Sequence, residues 1–304
     1  MEAKERVFLA IRREKADRIP RGEIVIEDVV IQSFLCCPRV AFEERWEFVR
    51  SLGLDIVCQR PFFPPQQADM ALPKSVHASW GDLGDWTERT DRFVFIVLDG
   101  AFGWGIRLWG FQRFVVALFR GSSDLTAFIN GVEALNLELA RRARDLGAMA
   151  VLLSDDLAYQ RGLMASPKLL RMYLLPSLAR QVEALTNLGL PVFFHSDGNL
   201  NEILADLAGM NLAGWQGLEA SAGMDLALIK QRYGANLCLW GNLDPSYLIL
   251  PCHLEEIAEH IDSIVKAAGQ SGGLIFGTSS GLFTGVRPEN LRSVYETLDR
   301  AGLS

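Results

Sequence analysis

The sequence predicts an α/β protein that folds as a single (β/α)₈ TIM barrel. Short apolar runs alternate with amphipathic segments of helical period along most of the chain. Polar residues recur directly after these runs, which is where parallel α/β folds place their functional groups. Eight such runs can be counted, centred near residues 24, 55, 94, 150, 192, 213, 237 and 275.

The N-terminal segment predicts a helix that precedes the barrel and then the first β-α-β unit. The helix is expected over residues 3–14 and ends ahead of Pro20, because the residue before a proline avoids the α region. Residues 23–27 alternate as a strand does, and residues 43–52 carry apolar side chains on one helical face. Residues 54–58 then predict the second strand.

Residues 61–92 interrupt this alternation with a proline-rich and tryptophan-containing stretch. The stretch is too long for an ordinary connection within a barrel, so we expect an excursion with a small hairpin structure of its own. Long loops of this kind commonly cover binding sites. We therefore expect the excursion to lie over the mouth of the barrel.

After the excursion the alternation of strands and helices becomes regular. The helix that follows the first aromatic segment begins at Ser123 or Asp124 as N-cap and ends at Gly147, and Pro288 takes the first position of the last helix. The expected elements, in order, are a strand at 93–98, an aromatic helical segment from Trp104 to Phe111, a helix at 124–146, a strand at 149–154, a helix at 167–188, a strand at 191–195, a helix at 200–208, a strand at 212–216, a helix at 224–233, a strand at 236–240, a helix at 254–267, a strand at 274–277 and the C-terminal helix.

The composition narrows the class of protein and of partner. With 304 residues, 49% hydrophobic and 22% charged, the chain has a globular composition, and we expect one domain over residues 1–304. The net charge of −7 argues against nucleic acid and anionic membranes as partners. The longest apolar runs fall short of the roughly 20 residues of a membrane span. The five cysteines are irregularly spaced and the chain opens without a signal-peptide core, which favours the cytoplasm and free thiols.

The polar residues at the strand ends predict the site. Within LPVFFHSDGNLN, His195 and Asp197 follow a short apolar strand; Asp156 and Glu219 follow two neighbouring strands, and these four are the candidate catalytic residues. His195, Asp197 and Glu219 are a plausible zinc set with one open position. The same imidazole and carboxylates would serve equally for acid–base chemistry without a metal. Taken singly, each of the acidic residues is also a common helix-capping or turn residue.

Residues beside these strand ends are expected to contact a small-molecule substrate. An aromatic cluster follows the third strand and would stack on a flat ligand if it lies at the mouth. The candidate substrate-binding residues are Phe102, Trp104, Gln160, Asn242 and Ser280.

Several segments, spread over nearly the whole chain, carry a resemblance to a known family. They are RVFLAIRREKADRIP, FVFIVLDGAFGWGIRLWGF, LLSDDLAYQRGLMASPKLLRMYLLP, FFHSDGNLNEIL, YGANLCLWGNLDP, GGLIFGTSSG and RPENL. Taken together they resemble the uroporphyrinogen decarboxylase superfamily, in particular its corrinoid-dependent methyltransferase branch. The resemblance implies a (β/α)₈ barrel, in agreement with the strand count.

Departures from the family's motifs indicate the branch. Decarboxylases of the superfamily carry an RQAGRY motif and a GHG-type histidine for the carboxylates of their substrate, where this chain has EDVVIQSFLCCPR and GTSSGLF. Tetrapyrrole decarboxylation is therefore not the expected activity. The methylcobalamin:coenzyme M methyltransferases bind zinc through an HxC motif and a distant cysteine. Here His195 and Asp197 stand at the HxC positions, and Ser279 or Ser280 replaces the distant cysteine.

The resemblance implies an enzyme that moves a methyl group from a methoxylated aromatic compound or a methylamine to the cobalt of a separate corrinoid protein. Asp156, His195, Asp197 and Glu219 would bind a metal, with zinc as the candidate, or donate a proton to the donor. Two alternatives stay open. One is a decarboxylase or lyase on a small organic acid, which would need a cationic cluster such as Arg60, Arg107 and Arg161; the other is a non-catalytic ligand-binding barrel.

Overall fold

The computed structural model describes residues 1–64, 71–251 and 254–301. Within these ranges, no helix combines the length and the hydropathy that crossing a membrane requires. The described residues form nine strands: β1 (Ile56–Gln59), β2 (Phe93–Asp99), β3 (Ala150–Ser154), β4 (Ala158–Tyr159), β5 (Gly162–Leu163), β6 (Val192–Ser196), β7 (Gly214–Gly217), β8 (Cys238–Trp240) and β9 (Leu274–Ile275).

Helices occupy most of the remaining chain. A π-helical stretch, Leu170–Leu174, joins two of them, and a second one, Val265–Gly269, continues another. The α-helices are α1 (Ala3–Ile11), α2 (Asp28–Leu35), α3 (Phe42–Ser51), α4 (Leu83–Arg89), α5 (Ala101–Trp109), α6 (Phe111–Arg120), α7 (Ser123–Asp145), α8 (Pro167–Leu169), α9 (Leu175–Asn187), α10 (Leu204–Ala208), α11 (Leu226–Tyr233), α12 (Ser246–Ile249), α13 (Leu254–Ile264) and α14 (Pro288–Ala301).

The chain divides into two compact units. Unit 1 comprises Met1–Cys58, Arg89–Phe93 and Gly214–Ser304, and unit 2 comprises Gln59–Glu88 and Val94–Ala213. Both units are built from parallel strands that alternate with helices, so the predicted α/β class is confirmed. The assignment of residues 1–304 to one domain stays a prediction.

Unit 2 contains three parallel strands in the order β2, β3, β6. Their side chains are mostly apolar and buried, as expected for parallel strands that are covered on both faces. Phe95 on β2 packs edge-to-face on Phe193 of β6, with ring centroids 5.2 Å apart. The two short strands β4 and β5 follow β3 and pair antiparallel as a hairpin. The strand ends of this unit carry most of the predicted site.

Unit 1 contains β7, β8 and β9 as parallel neighbours. The predicted strand over residues 23–27 is the main correction here, because its neighbourhood forms only isolated parallel bridges, at Arg21, Gly22 and Ile26. The extended chain stops early, since α2, which the sequence did not predict, begins at Asp28. Among the described residues, parallel pairs join β2, β3 and β6 in one unit and β7, β8 and β9 in the other, so the closed eight-stranded barrel stays a prediction.

The excursion differs in part from its prediction. An antiparallel bridge between Phe62 and Ser79 matches the expected hairpin, but helix α4 within the excursion was not predicted. Residues 65–70 lie outside the described residues. Its position over a barrel mouth stays a prediction.

The cysteines and the first helix follow their predictions closely. Cys36, Cys37, Cys58 and Cys238 form no disulfide, and Cys252 lies outside the described residues. Helix α1 ends at Ile11 rather than at residue 14, and Arg13 just beyond it adopts a left-handed conformation with φ 63°.

Unit 1 buries a carboxyl group, Glu23, in the segment where the sequence predicts the first strand. Its side chain is 2% exposed and accepts hydrogen bonds from the Tyr295 hydroxyl at 2.7 Å and from the Thr278 hydroxyl at 2.5 Å. Burial raises the pKa of Glu23 from 4.5 to about 7, although both hydrogen bonds favour the charged form.

We expect the buried Glu23 to make the protein less stable as the pH rises from about 4.5 to about 7. In that window the folded state keeps a proton on Glu23 that the unfolded state has lost, so the free energy of unfolding falls with pH and then levels off. The shift of 7 − 4.5 = 2.5 corresponds to about 3 kcal/mol. Glu23→Gln, which resembles the protonated acid, should remove the Glu23 contribution to this slope, while the buried Asp155, whose pKa burial also raises to about 7, keeps its own.

The measurement is urea unfolding of wild type and Glu23→Gln at pH 5 and pH 8. Glu256→Gln on the exposed side of α13 serves as the control and should keep the wild-type difference between the two pH values. An equal loss of stability between pH 5 and pH 8 in Glu23→Gln would contradict the assignment.

Candidate functional site

The predicted site residues of unit 2 lie at one edge of its sheet. Asp99 at the end of β2 is in register with Ser154 at the end of β3, and Ser154 is in register with His195 of β6. Asp155–Asp156 follows β3 directly, and Asp197 follows β6. The carboxyl ends of parallel strands therefore bring these side chains together, as the sequence predicts.

Asp156, His195 and Asp197 form a compact group. One possible ligand atom from each lies within 4.8 Å of the others, and His195 Nε2 is 3.5 Å from Asp156 Oδ1. The backbone N–H of Asp197 also donates to Asp156 Oδ1 at 3.2 Å. His195 is 5% exposed, whereas the Asp156 side chain is 58% exposed. The group is thus anchored on a buried imidazole and open to solvent on its Asp156 side.

The turn after β6 is held by the β4–β5 hairpin. Ser196 Oγ accepts from the N–H of Leu157 at 3.1 Å and donates to the carbonyl of Asp197 at 2.8 Å. Gly198 has φ +85°, and a Cβ atom added there would lie 2.5 Å from the backbone nitrogen of Tyr159. Only glycine fits this close approach of two backbones. Within the HSDG sequence, Gly198 is therefore required for packing against the hairpin, whereas His195 and Asp197 supply the candidate ligands.

Asp155 has a different role from its neighbour Asp156. The sequence alone did not distinguish the roles of these two residues. Its carboxylate accepts from the N–H of Phe102 at 3.2 Å and of Gly103 at 2.7 Å, at the start of α5. A Cβ atom on Gly100 would lie 2.3 Å from this carboxyl group. Burial raises the pKa of Asp155 to about 7. Asp155 thus joins the end of β3 to the first turn of α5.

Asp99 binds two arginines that sequence reasoning placed only in the decarboxylase alternative. Arg60 Nη1 is 2.9 Å from Asp99 Oδ1, and Arg107 Nη2 is 2.5 Å from Asp99 Oδ2. The sequence position of the two arginines could have indicated this contact. Arg60 directly follows β1, and Arg107 lies in α5, the helix that begins just after Asp99. The third arginine of that alternative, Arg161, lies exposed in the β4–β5 turn.

The predicted substrate-binding residues of unit 2 differ in exposure. Phe102 is fully buried and packs edge-to-face on Phe114 with centroids 5.6 Å apart, which is a core contact. Trp104 is buried beside Phe63, with centroids 5.9 Å apart. Gln160 is exposed in the β4–β5 turn. Their contact with a substrate stays a prediction.

The remaining predicted site residues belong to unit 1. Glu219 precedes the short 3₁₀ helix Ala220–Ala222 and accepts from the Ser221 hydroxyl at 2.9 Å. Asn242 is buried and donates to the carbonyl of Leu218 at 2.9 Å. Ser280 is half-buried after β9. The roles proposed for these three residues stay predictions.

The three donors of the compact group fit a catalytic zinc site. Such sites use three protein ligands from histidine and carboxylates and leave one position open. Tetrahedral ligands about 2.1 Å from zinc are about 3.4 Å apart, close to the distance between His195 and Asp156. The candidate ligand atom of Asp197 lies within 4.8 Å of those of Asp156 and His195. The candidate zinc ligands that lie close together in the structure are therefore Asp156, His195 and Asp197.

Comparison with known proteins places this arrangement in a family. The family model for uroporphyrinogen decarboxylase (URO-D) matches residues 104–301, about two thirds of the chain. The chain belongs to the uroporphyrinogen decarboxylase family. This confirms the resemblance that the sequence motifs indicate.

The curated relatives are distant members of the URO-D family. The uroporphyrinogen decarboxylase of Pelobacter propionicus is 25% identical over 182 residues, which are 59% of this chain and 49% of that protein. The Synechocystis enzyme is 28% identical over 183 residues, with the same two coverages. The match thus spans about half the length of these relatives.

Comparison with solved structures shows which proteins share the fold of this chain. A methyltransferase from Methanosarcina mazei superposes with a TM-score of 0.78 over 99% of both chains, at 16% identity. D-psicose 3-epimerase from Clostridium cellulolyticum superposes with a TM-score of 0.51 over 86% of this chain and 93% of that chain, at 11% identity. The fold of this URO-D family member is thus shared with the archaeal protein along the whole chain.

Proposed function

We propose that this protein is a methyltransferase that moves a methyl group from a small donor to the cobalt of a corrinoid carried by a separate protein. The observation that carries the proposal is the group of Asp156, His195 and Asp197 at the strand ends, with one buried imidazole and a solvent-open side. Membership of the URO-D family and the fold shared with the Methanosarcina methyltransferase support it.

The donor's leaving group needs activation. The oxygen of a methoxy group and the nitrogen of a methylamine are both poor leaving groups unless a proton or a metal withdraws charge from them. Asp156, His195 and Asp197 would hold zinc, which when bound polarises that oxygen or nitrogen as a Lewis acid. Glu219 remains a further candidate ligand from the sequence. The exposed side of Asp156 is the side from which a donor atom would reach the site.

In the alternative without a metal, His195 would serve as the acid. Its Nε2–H would then donate to a donor oxygen that takes the place of the contact with Asp156, which is 3.5 Å away in the structure. The methyl–oxygen bond would break with its electron pair staying on the oxygen, the proton of His195 would move to that oxygen, and the electron pair of the acceptor's Co(I) would form the new bond to the methyl group. In this alternative Asp156 would lie beside the imidazole that carries the proton.

The proposal for the whole chain is one closed (β/α)₈ barrel over residues 1–304, with the bridges at Arg21 and Gly22 in the place of the eighth strand. The fold shared with the Methanosarcina protein over 99% of both chains supports it. In such a barrel Gln160, Asn242 and Ser280 would follow their strands at the mouth and contact the substrate.

A decarboxylase or lyase that acts on a small organic acid is the second candidate. The observation that favours it is the arginine pair on Asp99, since a carboxylate substrate requires cationic partners. This activity would release carbon dioxide without any methyl acceptor, which separates it from methyl transfer in a single assay.

The test is methyl transfer to free cob(I)alamin, followed by the absorbance change as methylcobalamin forms. Methoxylated aromatic compounds and methylamines serve as donors, and small aromatic acids are assayed in parallel for release of carbon dioxide. Turnover with at least one donor is expected. Absence of transfer from every donor, with or without added zinc, would contradict the proposal.

A further inference from the structure

The turn that follows β9 carries three consecutive hydroxyl groups. Thr278 and Ser279 are 1% and 3% exposed, whereas Ser280 is half-buried. The turn closes on Gly281, whose φ is +113° and whose added Cβ atom would lie 2.4 Å from Val25 Cγ1. The turn therefore packs directly against the extended segment that contains Val25, and Ser280 is the hydroxyl-bearing residue that is partly open to solvent.

The Thr278 side chain holds both ends of this turn. Its hydroxyl donates to Glu23 Oε2 at 2.5 Å and accepts from the N–H of Gly281 at 2.7 Å. The N–H of Thr278 also donates to the two oxygens of the Glu23 carboxylate, at 3.2 Å each. One residue thus joins the first and the last position of the turn to a carboxylate that is distant in sequence.

Glu23 is itself fixed by helix α14. Its Oε1 accepts from the Tyr295 hydroxyl at 2.7 Å, and the Arg21 guanidinium lies over the Tyr295 ring, 5.6 Å from its centroid. Arg21 in turn forms an ion pair with Asp299, one turn further along the helix. Burying a carboxyl group costs free energy unless it is hydrogen-bonded. The donors that satisfy Glu23 come from Tyr295 and Thr278, so the carboxylate joins α14 to the turn.

Further hydrogen bonds hold the backbone ahead of Ser280. Nε2 of Gln216 on β7 donates to the carbonyls of Thr278 and Ser279, at 3.2 Å each. The N–H of Ser279 donates to the carbonyl of Leu243 at 3.0 Å. Ser280 thus follows two fixed residues at the carboxyl end of a strand, which is where barrel folds place functional groups.

We propose that Glu23 and Thr278 are positioning residues for Ser280, whose hydroxyl binds a polar substituent of the methyl donor. This inference rests on the proposed function and narrows its substrate class to methoxylated aromatic compounds with a second polar group. Residues 274–286 are all uncharged, and a serine hydroxyl both donates and accepts, which fits a neutral group such as a phenolic hydroxyl. The bound substituent takes no part in bond breaking, so the contact strengthens donor binding and leaves the chemical step unchanged.

Amide hydrogen exchange at residue resolution tests the positioning on the full chain without a substrate. Thr278→Val removes the hydroxyl, and the reporters are the N–H groups of Ser279 and Leu282, which donate to backbone carbonyls that the substitution leaves in place. Both should exchange about fivefold faster than in wild type, the factor that one lost hydrogen bond gives. The N–H of Phe276, which lies ahead of the turn, should keep its rate.

Two more variants of the same pair complete this measurement. Thr278→Ser keeps the hydroxyl and should restore the wild-type exchange rates. Glu23→Asp withdraws the carboxylate by one methylene and should act as Thr278→Val does. Thermal melting of each variant verifies that it is folded.

Methyl transfer to free cob(I)alamin tests the contact with the donor. The donors are 2-methoxyphenol and methoxybenzene, which differ only in the second polar group. Ser280→Ala is expected to raise the KM for 2-methoxyphenol about threefold to tenfold, the range of one neutral hydrogen bond, and to leave kcat unchanged. Thr278→Val should do the same, and the double variant should show no further rise, because both changes remove one contact. The KM for methoxybenzene should stay at its wild-type value throughout.

Thr284→Val is the matched control. Thr284 also donates through its N–H and its hydroxyl to a glutamate, Glu27, at 2.8 Å and 2.9 Å, but at an exposed position of the same loop. This variant should keep the wild-type exchange rate at Ser279 and the wild-type KM for 2-methoxyphenol. A purely structural role of Thr278 would lower kcat with the folded fraction and leave the KM unchanged.

The failure of this inference can be told apart from failure of the proposed function. Wild-type exchange at Ser279 and Leu282 in Thr278→Val overturns the inference, as does an additive rise of KM in the double variant or an equal wild-type KM for the two donors. Transfer from methylamines alone also overturns it, although that result supports methyl transfer itself. Faster exchange in a protein that transfers no methyl group from any donor supports the positioning by Thr278 and contradicts the methyltransferase.

Discussion

His195→Ala is expected to abolish methyl transfer and to release bound zinc while the protein stays folded. His195 supplies the single nitrogen ligand of the compact group and is its most buried member. Loss of a general acid costs about 10²–10⁴ in rate, and loss of a metal ligand would act on the same step. The measurements are zinc content by elemental analysis and the rate of methyl transfer to cob(I)alamin.

His77→Ala is the matched control, because His77 lies exposed in the 3₁₀ helix Ser75–His77 of the same unit. It should keep the zinc content and the rate of the wild type. Stoichiometric zinc in His195→Ala, together with a wild-type rate, would remove His195 from the site. Loss of the rate in a protein that never held zinc would leave His195 as the acid alone.

Gly198→Ala is expected to destabilise the protein by about 2–4 kcal/mol and to lower activity with it. Gly198 has φ +85°, which disfavours any side chain, and its added Cβ would lie 2.5 Å from Tyr159 N and 2.6 Å from the Ala158 carbonyl carbon. These are backbone atoms of the hairpin, so they cannot move aside as a flexible side chain does. The turn that carries Asp197 would have to shift.

Gly189→Ala distinguishes the effect of the positive φ angle from the effect of the close approach of the hairpin backbone. Gly189 has nearly the same backbone angle, φ +82°, but no atom within 4 Å of an added Cβ. It should therefore lose only the conformational part, about 1 kcal/mol, and keep its activity. Both variants are compared with wild type by urea unfolding at pH 7. Equal losses for Gly198→Ala and Gly189→Ala would mean that the approach of the hairpin does not determine the turn.

Periodicity predicted the strands and the longer helices of the chain well. Strands β2, β3 and β6 are continuous apolar runs that end in polar residues, so local chemistry specifies them. Helix α7 ends ahead of Gly147 as predicted, but its N-cap is Ser122, which accepts from the N–H of Leu125, rather than Ser123 or Asp124.

The strand prediction for residues 23–27 was wrong, although their polar and apolar residues alternate as in a strand. The Glu23 side chain is hydrogen-bonded by side chains that are distant in sequence, and Glu27 directly precedes helix α2. Local patterns do not contain such partners.

The candidate site shows the same division. The HxD spacing and the position after a strand identified His195 and Asp197, and the strand order brought in Asp156. Neither spacing nor residue type distinguished the buried Asp155, which caps α5, from the exposed Asp156. The pairing of Arg60 with Asp99 joins residues 39 apart in sequence and has no local signature.

The sequence by itself determined the α/β class, the family and the strand ends at which polar groups collect, because periodicity and short motifs are properties of contiguous residues. Only the tertiary structure decided which of those groups meet. Asp156 joined His195 and Asp197, Asp155 turned to the helix, and two arginines converged on Asp99. Hydrogen bonds and charge pairs form between side chains that chain folding brings within a few ångströms, and sequence separation carries no record of that distance.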